Sequence, residues 1–335
     1  MNANNPHITK GLWLGLLGVT LFAATLPMTK LAVGSVDAPQ LSPWFVTFGR
    51  AAVAGLLSIL YLTIKSIRRL EPKNGLKTGF EAFAGQFQSQ LPRHNEWALL
   101  AFTALGVVVG FPLFMSLALQ YVPSTHGAVV TGLLPLATAV VAAIWFQQRP
   151  SVGFWSCAVL GTLLVLAFMA MRSLDSAGHP SLHLADAFLL LAMLSAALGY
   201  IGGARLTPSL GAEGVICWVL VISLPFTVPL AWANAPLDLS AIRASSWWAF
   251  GYVALFSMWL GFFAWYRGLA LGGAVRVSQV QLVQPFLSLL FAVPLLGERI
   301  DLTTLGFGLA VIATVFVGKK MPVNTSNVNK SEKTA

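Results

Sequence analysis

Few residues in this chain put a polar group where apolar surroundings would make it costly. Arg50 is the one basic residue well inside an apolar run, about eight residues, or roughly 12 Å of helix, from the nearer end. A guanidinium there can grip a carboxylate through two parallel hydrogen bonds. It can equally cap helix carbonyls or reach for the surface. Further along, Ser278, Gln281, Gln284 and Ser288 recur at steps of three and four with Pro285 among them, one face of a helix. Thr125, Thr131, Gly132, Pro135 and Thr138 repeat the pattern earlier in the chain. Each proline removes a backbone donor and frees a carbonyl about one turn earlier. A freed carbonyl can bind a solute or let the helix hinge at Pro135 and Pro285. The competing reading is static hydrogen bonding between neighbouring helices. All of this is reversible binding chemistry. No Walker loop, no Ser/His/Asp set at a common depth and no CxxC or His/Cys cluster occurs, so no enzyme activity, metal or cofactor is expected.

Other candidates are aromatic or lie near the ends of apolar runs. Tyr252, Trp259, Phe262, Phe263, Trp265 and Tyr266 crowd one run. They fit an interfacial belt or packing, or, for the central Trp259, Phe262 and Phe263, an apolar wall for a solute. Tyr200 beside Gly202-Gly203, and Gly106 and Gly110 ahead of Phe111, mark places where helices can approach closely. His126 titrates near neutral pH or is a plain interfacial histidine. No Asp or Glu lies mid-run; Asp186 and Glu298 sit near run ends and read as caps or end partners. A bound solute is therefore expected to be neutral, zwitterionic or anionic.

Lipid is the solvent that positions these residues. Of 335 residues, 57% are hydrophobic and 9% charged, with a mean hydropathy of +0.77, whereas soluble domains carry about 25% charged residues. The net charge of +9 does not indicate nucleic acid, because the basic residues are scattered between apolar runs. Cys157 and Cys217 fall in separate runs and read as packing residues. Runs long enough to span a bilayer lie at 11–30, 42–64, 96–119, 125–146, 152–171, 185–204, 212–233, 246–270, 275–296 and 302–318. The first is read as an uncleaved helix, not a signal peptide, because a matching run opens the second half. With both termini in the cytoplasm, Lys30, Arg172, Arg243 and Arg299 face outward and Arg50 lies within a span. The other fifteen of the 20 Lys and Arg face inward, as the positive-inside rule requires. The basic stretch 65–95 is a solvated loop or carries a short interfacial helix over Phe80–Phe87. The polar tail from Met321 reads as disordered.

The chain also repeats itself. An offset of 150 pairs Pro135 with Pro285, Arg149 with Arg299, Thr131 with Gln281 and Thr138 with Ser288. Leu117-Ala-Leu119 matches Leu269-Ala-Leu271, and Lys30-Leu31 matches Arg205-Leu206. Five spans per half make the second half enter from the opposite side. The expected fold is an all-α integral membrane protein of ten transmembrane helices in two inverted five-helix repeats, an architecture used for alternating access. A 1–10 cytoplasmic N-terminus, a first repeat over 11–172, a second over 185–319 and a tail over 320–335 follow.

With these features the chain resembles the drug/metabolite transporter superfamily in its ten-helix EamA branch. The likeness rests on Pro135 with the Gln148-Arg149 exit, Pro285 with the Gly297-Glu298-Arg299 exit, Arg50 and Asp186, and covers about 11–319. The first exit, Gln147-Gln148-Arg149, departs from the usual Gly-Glu-Arg. The resemblance implies a secondary transporter in a bacterial-type inner membrane. It would export amino acids or related small metabolites through a cavity between the halves. Gln281, Gln284, Ser278, Thr131, Arg50, Trp259, Phe262 and Tyr200 are the candidate lining. A nucleotide-sugar or lipid-linked carrier of the same fold ranks lower, because phosphates would call for more basic residues facing the cavity. A scaffold or sensor without transport would need a regulatory domain that the sequence does not display. The bilayer and a small-molecule metabolite are the expected partners, with no nucleic acid; nothing in the sequence bears on oligomeric state.

Overall fold

The computed structural model describes residues 6–68, 85–145, 149–177, 184–272, 280–320 and 323–324. These residues form ten helical stretches, matching the ten apolar runs. Helix α1 is Pro6–Ala23, continued after a break at Ala24 by Thr25–Val33. Helix α2 is Pro43–Arg68. Helix α3 runs Trp97–Ala104, a π-helical Leu105–Gly110, then Phe111–Tyr121. Helix α4 is Ser124–Thr131 followed, past Gly132 and Leu133, by Leu134–Trp145. Helix α5 is Val152–Ala177, α6 is Leu184–Leu210 and α7 is Ala212–Ala233. Helix α8 runs Ala244–Tyr252, a π-helical Val253–Leu260, then Gly261–Gly272. Helix α9 opens with a 3₁₀ turn, Gln281–Val283, and continues as Gln284–Leu296; α10 is Leu302–Lys320.

Six stretches are long and apolar enough to cross a membrane: Thr9–Val33, Pro43–Arg68, His94–Tyr121, Leu184–Leu210, Ala212–Ala233 and Ala244–Gly268. Val152–Phe168, Gln284–Leu296 and Leu302–Thr314 are shorter apolar helices. Leu56, Ile59, Leu60 and Ile64 on α2, with Phe226 and Leu230 on α7, point away from the bundle and are exposed. Their helical spacing makes continuous apolar faces of the kind lipid covers.

Packing follows the repeat. α1 packs along α8 and α9, α6 along α3 and α4, α2 along α7 and α8, α7 along α3, α4 against α9, and α5 along α10. Exchange the first five helices for the last five, and α1–α8 becomes α6–α3, α1–α9 becomes α6–α4, and α2–α8 becomes α7–α3. The α2–α7, α4–α9 and α5–α10 pairs map onto themselves. Irregular backbone is repeated too. The π segments at 105–110 and 253–260 fall in the third helix of each half. The breaks at 132–133 and 281–283 fall in the fourth helix of each half, each ending two residues before Pro135 or Pro285.

Glycine permits the closest approaches. A Cβ on Gly106 would lie 2.6 Å from the Ser195 carbonyl oxygen and 2.8 Å from Gly199 Cα. A Cβ on Gly268 would lie 2.7 Å from Gly15 N and 2.9 Å from the Gly11 carbonyl oxygen. Along α1 and α8, Gly15 meets Gly268, Gly18 meets Trp265 and Phe22 meets Gly261, so this pair is antiparallel. Along α3 and α6, Thr103 meets Gly202, Gly106 meets Gly199 and Gly110 meets Ser195, antiparallel again.

One end of the bundle carries the start of α1 and the end of α10. There the last part of the 65–95 stretch is docked: Gly85–Gln88 is a helical turn, and Phe87 packs on Trp218 of α7. Trp218 Nε1 donates to the Gln90 carbonyl at 2.8 Å. The helix expected over Phe80–Phe87 lies mostly outside the described residues. Val323–Asn324 pairs antiparallel with Arg149–Pro150, an ordered contact that the polar tail did not suggest. At the opposite end, Gly297 takes a left-handed conformation (φ 67°) and stops α9, its N–H bonding the Val293 carbonyl. That turn delivers the Glu298 carboxylate to the start of α4, where it accepts from Ser124 N–H at 2.7 Å and Thr125 N–H at 2.8 Å.

Candidate functional site

Helices of both halves enclose a cleft at the centre of the bundle. Phe22 and Thr25 come from either side of the α1 break, and Arg50 from α2. Val107 and Phe111 come from α3, Ala196 and Tyr200 from α6, Ser257 and Phe262 from α8, and Gln284 from α9. The cleft encloses about 350 Å³ of empty space, much of it too narrow to enter; in this conformation it has room for about one water. A second space of about 200 Å³ adjoins it, lined by Thr131, Leu134, Pro135, Gln281, Gln284 and Pro285. It sits where the two broken helices, α4 and α9, cross. Gln284 borders both.

Arg50 dominates the electrostatics. It is 2% exposed. Its Nη2 donates weakly to Met258 Sδ at 3.8 Å, and its Nε has no partner. Among the described residues no carboxylate lies within ion-pair distance of it. A buried charge without a counter-charge costs several kcal/mol after relaxation. Gln284 Oε1 is likewise buried without a partner. Thr25 Oγ1 and Ser257 Oγ lie 2.8 Å apart and tie α1 to α8 beside the cleft. Both π segments contribute, through Val107 and through Ser257 and Met258. A π turn inserts a residue and re-aims the side chains around it, and such turns gather at functional sites.

The residues named from sequence divide as follows. Arg50, Tyr200, Phe262 and Gln284 line the cleft; Thr131, Gln281, Gln284, Pro135 and Pro285 line the adjoining space. The Thr131 hydroxyl is already used within α4, donating to the Gly127 carbonyl at 2.8 Å. Trp259 is not among the residues lining these two spaces; its ring packs against Tyr61 and Phe263. Ser278 lies outside the described residues. Sequence reading passed over Phe22, Thr25, Val107, Phe111, Ala196 and Ser257. The available signal was a hydroxyl well inside an apolar run, Thr25 in the first and Ser257 in the eighth, but Thr20 and Thr29 share the first run and Ser246 the eighth, so neither stood out. His126 is not interfacial: it is 6% exposed and its Nε2 lies 2.8 Å from Oδ1 of Asp186, itself 1% exposed.

Comparison with known proteins places this arrangement. A model of the EamA-like transporter family matches residues 9–170 and 183–318, which include every described residue of both cavities. The chain belongs to the EamA-like transporter family. It is 39% identical over 312 residues to "Uncharacterized transporter YdeK" of Bacillus subtilis (strain 168), covering 93% of this chain and 98% of the relative. It is 25% identical over 273 residues to "Uncharacterized transporter YyaM" of the same organism, covering 80% of each. A protein crystal structure with 16% sequence identity superposes with a TM-score of 0.58 over 92% of this chain and 96% of that one; the likeness concerns the fold.

Proposed function

We propose that this EamA-like transporter exports small carboxylate-bearing metabolites, amino acids and their relatives, by alternating access. The supporting observation is Arg50: a guanidinium buried in the central cleft with no carboxylate beside it. A solute carboxylate supplies the missing charge, and charge-assisted bonds are about twice as strong as neutral ones. Gln284 Oε1, unpartnered and adjacent, suits a donor on the same solute, such as an ammonium. Phe22, Phe111 and Phe262 give an apolar wall. Among the described residues Arg50 is the only cation lining the cleft, which favours a single carboxylate over the several charges of a nucleotide sugar.

In this reading the two five-helix units, 11–172 and 185–319, rock about the cleft. The breaks beside Pro135 and Pro285 absorb the motion, because a helix that already lacks bonds bends there at little cost. The bundle end with the start of α1 and the end of α10 faces the cytoplasm of a bacterial-type inner membrane, by the distribution of Lys and Arg. The near-closed cleft fits an occluded stage of the cycle.

A thermal-shift screen of the purified protein tests the proposal. A ligand that binds only the folded form at 100 times its Kd stabilises by about 2.7 kcal/mol. Amino acids are expected to raise the melting temperature, and nucleotide sugars to leave it unchanged. The reverse pattern would refute the substrate class.

A further inference from the structure

The outer piece of α4, Ser124–Thr131, packs along the outer piece of α9, Gln284–Leu296. Each meets a helix break at its inner end, beside the space lined by Thr131, Gln281 and Gln284. The two pieces therefore stand between that space and the outer end of the bundle. One side chain joins them there. Gly297 stops α9 and turns the chain so that Glu298 reaches the start of α4. One carboxylate oxygen accepts from Ser124 N–H at 2.7 Å and the other from Thr125 N–H at 2.8 Å. The contact crosses from the second half to the first. α4 has no cap of its own: Pro123 holds the capping position and its side chain makes no capping bond. Lys30 of α1, whose ammonium donates to the Leu119 carbonyl at 2.6 Å, lies within electrostatic reach of Glu298. Unlike Arg50, Glu298 is only half-buried. A carboxylate and two amides released at the surface find water, so the clamp is worth about what a helix cap is worth. That is about fivefold in an equilibrium, enough to bias a gate without locking it.

The geometry points to Glu298 as the latch of the outer gate. While its carboxylate holds Ser124 and Thr125, the outer pieces of α4 and α9 stay together and the space at their inner ends is shut off from the outer side. When it lets go, the outer piece of α4 swings about Gly132 and Leu133, where the helix is already interrupted. A carboxylate suits the task because the first amides of a helix carry about half a positive charge. It also presents two acceptor oxygens to two adjacent N–H groups, where an amide presents one oxygen and no charge. This inference rests on the alternating-access part of the proposed function and is independent of the solute carried.

The test reads one thiol from each side of the membrane. Thr131→Cys, lining the space at the inner end of the gate, is introduced into the full chain with Cys157→Ala and Cys217→Ala. The probe is a charged maleimide that does not cross the bilayer, applied to sealed membrane vesicles of either orientation. Leu237→Cys, fully exposed in the turn between α7 and α8, marks the outer side in a parallel sample. Glu298→Gln is expected to speed the outer-side reaction at position 131 about fivefold and to leave the inner-side reaction no faster. Equal outer-side rates with and without the substitution would overturn the latch. Faster reaction from both sides would also overturn it, since a bundle that has merely loosened lacks sidedness. Reaction at position 131 from neither side, with or without Glu298→Gln, would overturn alternating access through this space and the latch with it.

Discussion

Arg50→Met separates a functional arginine from a structural one, because the two roles predict opposite stability changes. Arg50 is 2% exposed, its Nε is unpartnered and, among the described residues, its only bond is a weak one to Met258 Sδ. Methionine retains the apolar stem and fills the space flexibly. Removing a buried charge without a counter-charge should stabilise the empty protein, by about 1–4 kcal/mol if the gain is like that for buried ion pairs replaced by well-packed apolar groups. The same change removes the charge-assisted bonds to a bound carboxylate. These are worth about 1.5–3 kcal/mol, or about 10- to 150-fold in affinity. The assay is paired: thermal melting of the empty protein in detergent, and binding of the best amino acid from the screen. The variant should melt higher and bind more weakly. An arginine that served as a helix cap would lose its bonds on substitution, so a lower melting temperature with unchanged affinity would refute the reasoning.

Three further outcomes follow from the packing. Gly106→Ala places a Cβ 2.6 Å from the Ser195 carbonyl oxygen, so α3 and α6 must separate; overpacking of this kind costs about 1–3 kcal/mol, visible as a lower melting temperature. Glu298→Gln weakens the cap on Ser124 and Thr125, at about 1 kcal/mol for a cap and its dipole interaction, and should speed hydrogen exchange at those two amides. Thr25→Ala and Ser257→Ala share one 2.8 Å bond. Their double-mutant cycle should show coupling of about 0.6 kcal/mol, as for hydrogen bonds between helices in membranes.

Much of the architecture was legible because lipid imposes a plain rule: a spanning segment needs about 20 apolar residues. The ten runs became ten helical stretches. Pro135 and Pro285 marked the two breaks, since proline cannot complete the helical ladder. Arg50, Tyr200, Phe262 and Gln284 stood out from their surroundings by polarity or size and meet at one cleft. The π segments at 105–110 and 253–260 were not legible, because they contain no proline or other residue that demands the wider turn. Trp259, expected beside the cleft, lies in one of them and packs on Tyr61 and Phe263. The His126–Asp186 pair spans 60 residues of sequence. Each residue alone looks like a helix-end group facing headgroups, and only the packing of α4 on α6 turns both inward.

Solute exchange in proteoliposomes bears most directly on the claim that Arg50 receives a substrate carboxylate. Vesicles loaded with the best-binding labelled amino acid are diluted into the same compound unlabelled, or into its carboxamide, which has the same shape without the negative charge. The account predicts rapid exchange against the amino acid and exchange slowed at least tenfold against the carboxamide, in line with the loss of a charge-assisted pair. Equal exchange with both compounds would contradict it.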